Sequence, residues 1–272
     1  MLQAFICTTC GTQHTESKAA PSRCIICDDE RQYVPPAGQS WTTLARLQKS
    51  HSAVFKDESG VIAIGTSPSF AIGQRALLVR SPDGNVLWDC ISLVDDTMVE
   101  LIKGVGGLKA IAISHPHYYT TMLEWSRAFG GIPIYLHEKD SQWVMRSGPE
   151  IEFWSGETKE ISPGMTLIRV GGHFPGGTAM HWDKGADGKG ALFSGDLLQV
   201  VADRKFVAFM WSYPNFSPLG EQAVRSIEKR VAPWQYDKVY GAFWDRVIER
   251  DAKNVVAESV ARHIEHLSRD AE

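Results

Sequence analysis

His115 and His117 stand two apart just after the apolar run KAIAIS, His173 lies in VGGHFPGG after the strand-like MTLIRV, and Asp196 follows ALFS within LFSGDLL. Three imidazoles and one carboxylate, each placed where a strand leaves its sheet, form a ligand set suited to zinc, with iron as the alternative. Positions two apart in an extended segment face the same way, so the rings of His115 and His117 are expected to reach one ion. A second set lies near the N-terminus. Cys7-x-x-Cys10 and Cys24-x-x-Cys27 are two knuckles joined by a short loop. Four thiolates converging at about 2.3 Å make a tetrahedral structural site for zinc or iron. The segment is too polar to build a core alone, so the ion would supply its folding energy.

The elements that must position these groups can be read along the chain. Residues 1–36 form the four-cysteine module, which ends at Pro35-Pro36, and residues 37–272 form the main body. SWTTLARLQKSH reads as a connecting helix with Ser40 as its N-cap. GVIAIG and RALLVRSPDGNVLWDC read as strands, the second broken at Pro82-Asp83-Gly84. Next come a helix in MVELIKGVGG, the strand KAIAIS, a helix in TTMLEWSRAFGG and the strand IPIYLH. MTLIRVGG, TAMHWDKG and GALFSGD supply later strands, and LGEQAVRSIEKRVA and DAKNVVAESVARHIEHL supply two closing helices. The class is α/β.

Bulk composition narrows the function. The 272 residues carry 32 acidic and 28 basic side chains, which argues against a nucleic-acid surface or a polybasic membrane patch. No apolar run approaches the roughly 20 residues that span a bilayer, and the chain reads as cytoplasmic. Four of the five cysteines fall in the two close pairs and Cys90 sits in a strand pattern, unlike a secreted disulfide framework. The expected partner is a small-molecule substrate. The aromatic stretch VVADRKFVAFMWSYPNFSPL, with Phe243 and Trp244, suggests an apolar or aromatic pocket wall. Phe206 and Phe209 read as core more than Trp211 and Tyr213 do. Exposed aromatics and the cysteine module are compatible with a homodimer. His51, His137 and His181 read as hydrogen-bonded structural residues, and His14, His263 and His266 as solvated.

The order strand-His-x-His, Gly-His with a downstream Gly-Thr, then Ser-Gly-Asp resembles the metallo-β-lactamase superfamily from about residue 60 to residue 270. WDCIS falls where that family has an apolar strand ending in Asp-x-Gly; Asp89 fits, and the glycine is absent. The resemblance implies an αββα sandwich with the metal site at one edge of paired sheets. The family pattern is His-x-His-x-Asp-His, and Tyr119 and Thr120 replace its last two ligands. Gly241-Ala242 likewise stands where the family has Gly-His. The resemblance therefore implies that the ligands of a second metal are missing while the first-metal set, His115, His117, His173 and Asp196, is whole. The cysteine segment is similar to the rubredoxin-like module of rubrerythrins; Gly11 fits, and Ile25 stands where that family has proline.

The family implies a metal-dependent hydrolase of a small ester, lactone, amide or thioester, with Asp196 and Tyr119 as catalytic candidates. Tyr118 or Tyr119 could stabilise an oxyanion, Tyr119 could ligate as phenolate, or both could fill the space of the missing ion. Two alternatives stand beside the hydrolase. Persulfide dioxygenases of the same superfamily use two histidines and a carboxylate on iron, matching His115, His173 and Asp196, although they keep the Asp-His pair. A non-catalytic binding protein of the same fold is the other.

Overall fold

A computed structural model describes residues 2–269 of the chain. Two compact units make it up, Met1–Trp154 and Ser155–Glu272. The first begins with β1 (Phe5–Cys7), the single-turn α1 (Ile25–Asp28) and β2 (Trp41–Thr43). β1 and β2 pair antiparallel, with Phe5 opposite Thr43 and Cys7 opposite Trp41. The expected helix start at Ser40 is corrected here. The β-favouring Trp41-Thr42-Thr43 joins β1, and α2 (Leu44–Ser50) begins after Thr43, which caps it without a side-chain bond. The backbone carbonyl of Ser40 accepts from the Thr8 amide at 3.1 Å.

A seven-stranded sheet follows: β3 (Ser52–Glu58), β4 (Val61–Ser67), β5 (Ala76–Val79), β6 (Val86–Trp88), β7 (Ala110–Ala112), β8 (Ile134–His137) and β9 (Ile151–Trp154), in that order. β3 to β6 pair antiparallel and β6 to β9 parallel. Parallel neighbours need crossovers, and helices α3 (Asp96–Gly104) and α4 (Met122–Ala128) supply two of them. Asp95 caps α3 by accepting from the Met98 amide at 2.8 Å, while Met98, Val99 and Ile102 face the core.

The second unit carries a six-stranded sheet in the order β10 (Thr158–Ser162), β11 (Met165–Arg169), β12 (Thr178–Trp182), β13 (Ala191–Gly195), β18 (Lys238–Gly241) and β19 (Val247–Ile248). Between β13 and β18 run two short hairpins, β14 (Gln199–Val200) with β15 (Val207–Ala208) and β16 (Met210–Ser212) with β17 (Ser217–Pro218). Helix α5 (Glu221–Val231) then leads to β18, parallel to β13, and α6 (Ala252–Leu267) ends the unit. Val224, Ile227 and Val231 of α5 and Val256 and Val260 of α6 bury their side chains in a core with Ile168, Ala179 and Leu192 of the sheet. The expected α/β class holds, with mixed sheets in both units. Among the described residues no helix is long and apolar enough to cross a membrane.

Candidate metal centres

The cysteine centre is built locally. Cys7 ends β1, Cys10 lies in the tight turn after it, Cys24 directly precedes α1 and Cys27 lies within it. Cys7 Sγ lies 3.6 Å from Cys27 Sγ, and Cys10 Sγ lies 3.7 Å from Cys24 Sγ. Four sulfurs at about 2.3 Å from a shared centre would stand roughly 3.8 Å apart, so these separations fit a tetrahedral ion. All four side chains are buried. Contact with Cys24 holds the Cys10 thiol well above its usual range, and contact with Cys10 pulls Cys24 down. Four crowded thiols thus resist ionising together, and a cation removes that conflict. Gly11 permits the turn at φ +84°, where a Cβ would lie 2.5 Å from Ser92 Oγ. His14 is buried rather than solvated, packed edge-on against Trp41 with ring centroids 4.8 Å apart. Its sequence neighbours are polar, and the burial comes from the β1–β2 pairing that lays Trp41 over it.

The histidine group is assembled from strand exits. Asp89, just past β6, accepts from the Ser114 amide at 2.7 Å and fixes the chain as it leaves β7. His115 is extended, but Pro116–Tyr118 forms a 3₁₀ turn, so the rings of His115 and His117 meet through that turn rather than by strand alternation. Pro116, with its preset φ, starts the turn. The two ring centroids are 5.0 Å apart. Ser114 Oγ lies 2.9 Å from His115 Nδ1, leaving Nε2 as the atom to present to an ion.

His173 sits beyond β11 after Gly171 and Gly172, both in the left-handed region. A Cβ on Gly172 would lie 2.7 Å from Ile227 Cδ1, so α5 packs against the turn itself. His173 Nδ1 meets the Met210 carbonyl at 3.2 Å, orienting Nε2 in the same manner. Asp196 follows Gly195 at the end of β13. His115 and His117 belong to the first unit and His173 and Asp196 to the second, and all four residues are buried. Imidazole and carboxylate donors of this kind suit a borderline divalent ion.

Sequence reasoning missed the part played by Tyr213. Its hydroxyl lies 2.8 Å from the Asp196 carbonyl, and its ring meets that of His173 edge-on at 6.0 Å. Its aromatic run marks it only as a pocket-wall candidate, and the bond to the Asp196 carbonyl comes from the fold. Burial, and then Asp196, push its phenol well above the ordinary range. Tyr119 is also buried, and burial followed by the Asp140 carboxylate keeps its phenol well above that range. It lines a narrow recess with Thr12, Gln13, Thr120 and Arg146, whereas Tyr118 is the tyrosine that packs on His115, with centroids 5.2 Å apart.

Other expectations resolve residue by residue. His181 Nε2 meets the Gln235 carbonyl at 2.7 Å, and His137 Nδ1 accepts from the Lys139 amide at 3.2 Å, as structural histidines should. His263 is not fully solvated: Nε2 reaches the Leu219 carbonyl at 2.8 Å because α6 packs on the buried Phe209. His266 is exposed. Phe206 stacks under the Arg262 guanidinium at 4.4 Å, and Trp211 packs against the second unit's core.

The chain is 46% identical over 267 residues to the uncharacterized protein YmaE of Bacillus subtilis (strain 168), covering 97% of both chains. The chain belongs to the YmaE family. No family model matches it. Among solved structures, VMB-1 matches 80% of this YmaE-family chain and 99% of its own, with a TM-score of 0.60 at 14% identity. The DIM-1 metallo-β-lactamase matches 80% of this chain and 99% of its own, with a TM-score of 0.59 at 14% identity. The metallo-β-lactamase FIM-1 from Pseudomonas aeruginosa, in its mono-zinc form, matches 77% and 95%, with a TM-score of 0.53 at 15% identity. The YmaE-family chain therefore has the metallo-β-lactamase fold, with a four-cysteine cluster near its N-terminus.

Proposed function

We propose that the chain is a mononuclear, zinc-dependent hydrolase of a small, uncharged ester, lactone, amide or thioester. The observation that carries this reading is the donor set itself, three imidazoles and one carboxylate, each buried at the exit of a strand. A divalent zinc ion held by three histidines activates water near pH 7 and polarises a carbonyl, to about the degree seen in carbonic anhydrase and zinc proteases. Support comes from a fold that also carries metallo-β-lactamases, one of them crystallised with a single zinc. His115 and His173 are oriented as ligands, since Ser114 and the Met210 carbonyl each occupy the opposite ring nitrogen. His117 completes the imidazole set. Asp196, the one carboxylate of the group, is assigned as ligand or proton acceptor. Tyr119 is assigned as a neutral space-filler at the lost second-metal position, because its surroundings oppose the phenolate. Aromatic side chains after Asp196 favour an apolar acyl or leaving group over a nucleotide or a membrane lipid, and the net charge of −4 agrees.

The test is turnover of chromogenic esters, lactones and thioesters by zinc-loaded chain, beside His115→Ala. Zinc-dependent turnover that falls by about 100-fold or more in the variant supports the reading. A fully loaded histidine site with no turnover on any of these substrates contradicts it. His115, His173 and Asp196 also form the two-histidine, one-carboxylate set of iron oxygenases. Oxygen uptake by ferrous-loaded chain with a thiol or persulfide, absent with zinc, would put that second reading first.

A further inference from the structure

The four-cysteine module is stitched to the loop that carries His117. The Gln74 side chain is buried, and its Nε2 donates to the Cys10 carbonyl at 2.7 Å and to the His117 carbonyl at 3.1 Å. One amide group thus uses both of its N–H bonds to tie the second cysteine of the first knuckle to a histidine of the other centre. Three residues beyond Cys10, the Gln13 amide donates to the Thr120 carbonyl at 2.9 Å. Thr120 is buried with φ +32°, a conformation that a β-branched residue holds only when its surroundings impose it. Ser92 supplies a third tie. Its Oγ donates to the Gly11 carbonyl at 2.8 Å, and its carbonyl accepts from Thr121 Oγ1 at 3.0 Å. Arg146 closes the set by donating to Gln13 Oε1 at 2.6 Å and pairing with Glu124 of α4.

Resting on the reading that the histidines hold an ion, we propose that the four-cysteine module is the positioning element of the histidine centre. Its metal occupancy then sets the affinity of the second site. The residues that bear its contacts, 117 to 121, include those where the family's second-metal ligands are replaced. A bound ion in that region would ordinarily fix the loop; here the knuckle backbone from Cys10 to Gln13 fixes it. Emptying the cysteine site removes the folding energy of the polar segment around it. Cys10 and Gln13 then no longer hold Gln74 and Thr120, and His117 loses its backbone anchors. Ion binding at the histidines is therefore coupled to ion binding at the cysteines, and the coupling is reciprocal. Gln74 acts as a positioning residue in this scheme, since it bonds to the backbone of both centres and to no ligand atom.

The experiment uses the full chain, stripped with a chelator and titrated with cobalt(II), whose thiolate charge-transfer absorption reports the cysteine site. The histidine-site affinity for zinc is then read by chelator competition. In Gln74→Ala the cysteine-site spectrum stays as in the wild type, and the histidine-site affinity falls by about 10- to 100-fold, the range for lost supporting contacts. In Cys24→Ser, loss of the thiolate signal is accompanied by the same fall. An unchanged histidine-site affinity in Gln74→Ala, with the wild type holding two ions, overturns the coupling alone. A wild type with no ion at its histidines overturns the histidine-centre reading and the coupling with it. Should Gln74→Ala fail to fold, Ser92→Ala cuts another tie and is judged by the same criterion.

Discussion

The cysteine centre draws its ligands from residues 7 to 27, and the histidine centre draws its own from residues 115 to 196. The first is a local turn pattern in which spacing alone brings the atoms together. The second depends on strands ending in the right places and on groups that occupy the opposite nitrogen of an imidazole. Local centres tie their own segment's stability to the ion. Distributed centres inherit rigidity from the scaffold and tolerate an empty state. The two therefore respond differently to substitution, and the contrast can be tested in order of expected effect.

Removing one cysteine should do most damage. Cys24→Ala is expected to cost about 4 kcal/mol or more, the range for losing a structural metal, lowering the melting temperature by on the order of 10 °C. An unchanged melt would mean that the quartet contributes nothing to folding. Gly172→Ala comes next, because the new Cβ would meet Ile227 Cδ1 at 2.7 Å in a left-handed turn at φ +78°. About 3 kcal/mol of destabilisation is expected from combined strain and overpacking, read by denaturant unfolding. Asp89→Ala should cost about 1–3 kcal/mol by leaving the buried Ser114 amide without its acceptor. Asp89→Asn keeps the acceptor and accepts the left-handed φ of +61°, so it should cost clearly less. Equal losses in the two variants would mean that the carboxylate charge matters and not its hydrogen bond.

The smallest effects belong to two tyrosines, the buried Tyr119 and the half-buried Tyr213. Tyr119 and Tyr213 have phenols raised by burial first, so the folded state favours their neutral form. A raised folded pKa means stability is fully present below the unfolded tyrosine value and is lost as pH climbs from there toward the folded value. Alkaline destabilisation should thus begin near pH ~10 and weaken in Tyr119→Phe. Phenolate absorbance from Tyr119 near neutral pH would contradict this. Loss of a general base costs about 10²–10⁴-fold, whereas a space-filling Tyr119 predicts less than about threefold change in turnover for Tyr119→Phe.

Much of the fold is legible because strand and helix periods agree with glycine turns through GVIAIG, KAIAIS, MTLIRV and GALFSG. β3 escapes sequence reading because its exposed Lys56 and Asp57 break the apolar pattern of an edge strand. A helix start at Ser40 fails because tertiary pairing to β1 outweighs a good capping residue. Of the candidate centres, the ligand types and positions can be read from spacing, but their support cannot. Gln74, Ser114, Met210 and Tyr213 act through contacts set by folding, and no local pattern announces them. The burial of His14 and Tyr119 is hidden for the same reason: polar neighbours along the chain do not reveal apolar neighbours in space.

The most direct measurement is metal content per chain by elemental mass spectrometry, on protein purified without added metal, for the wild type and His115→Ala/His173→Ala. Two ions in the wild type and one in the double variant, with a smaller fall in melting temperature than Cys24→Ala causes, are expected from one local and one distributed centre. One ion in both proteins would contradict the account, leaving the cysteines as the metal site and the histidine group without a resident ion.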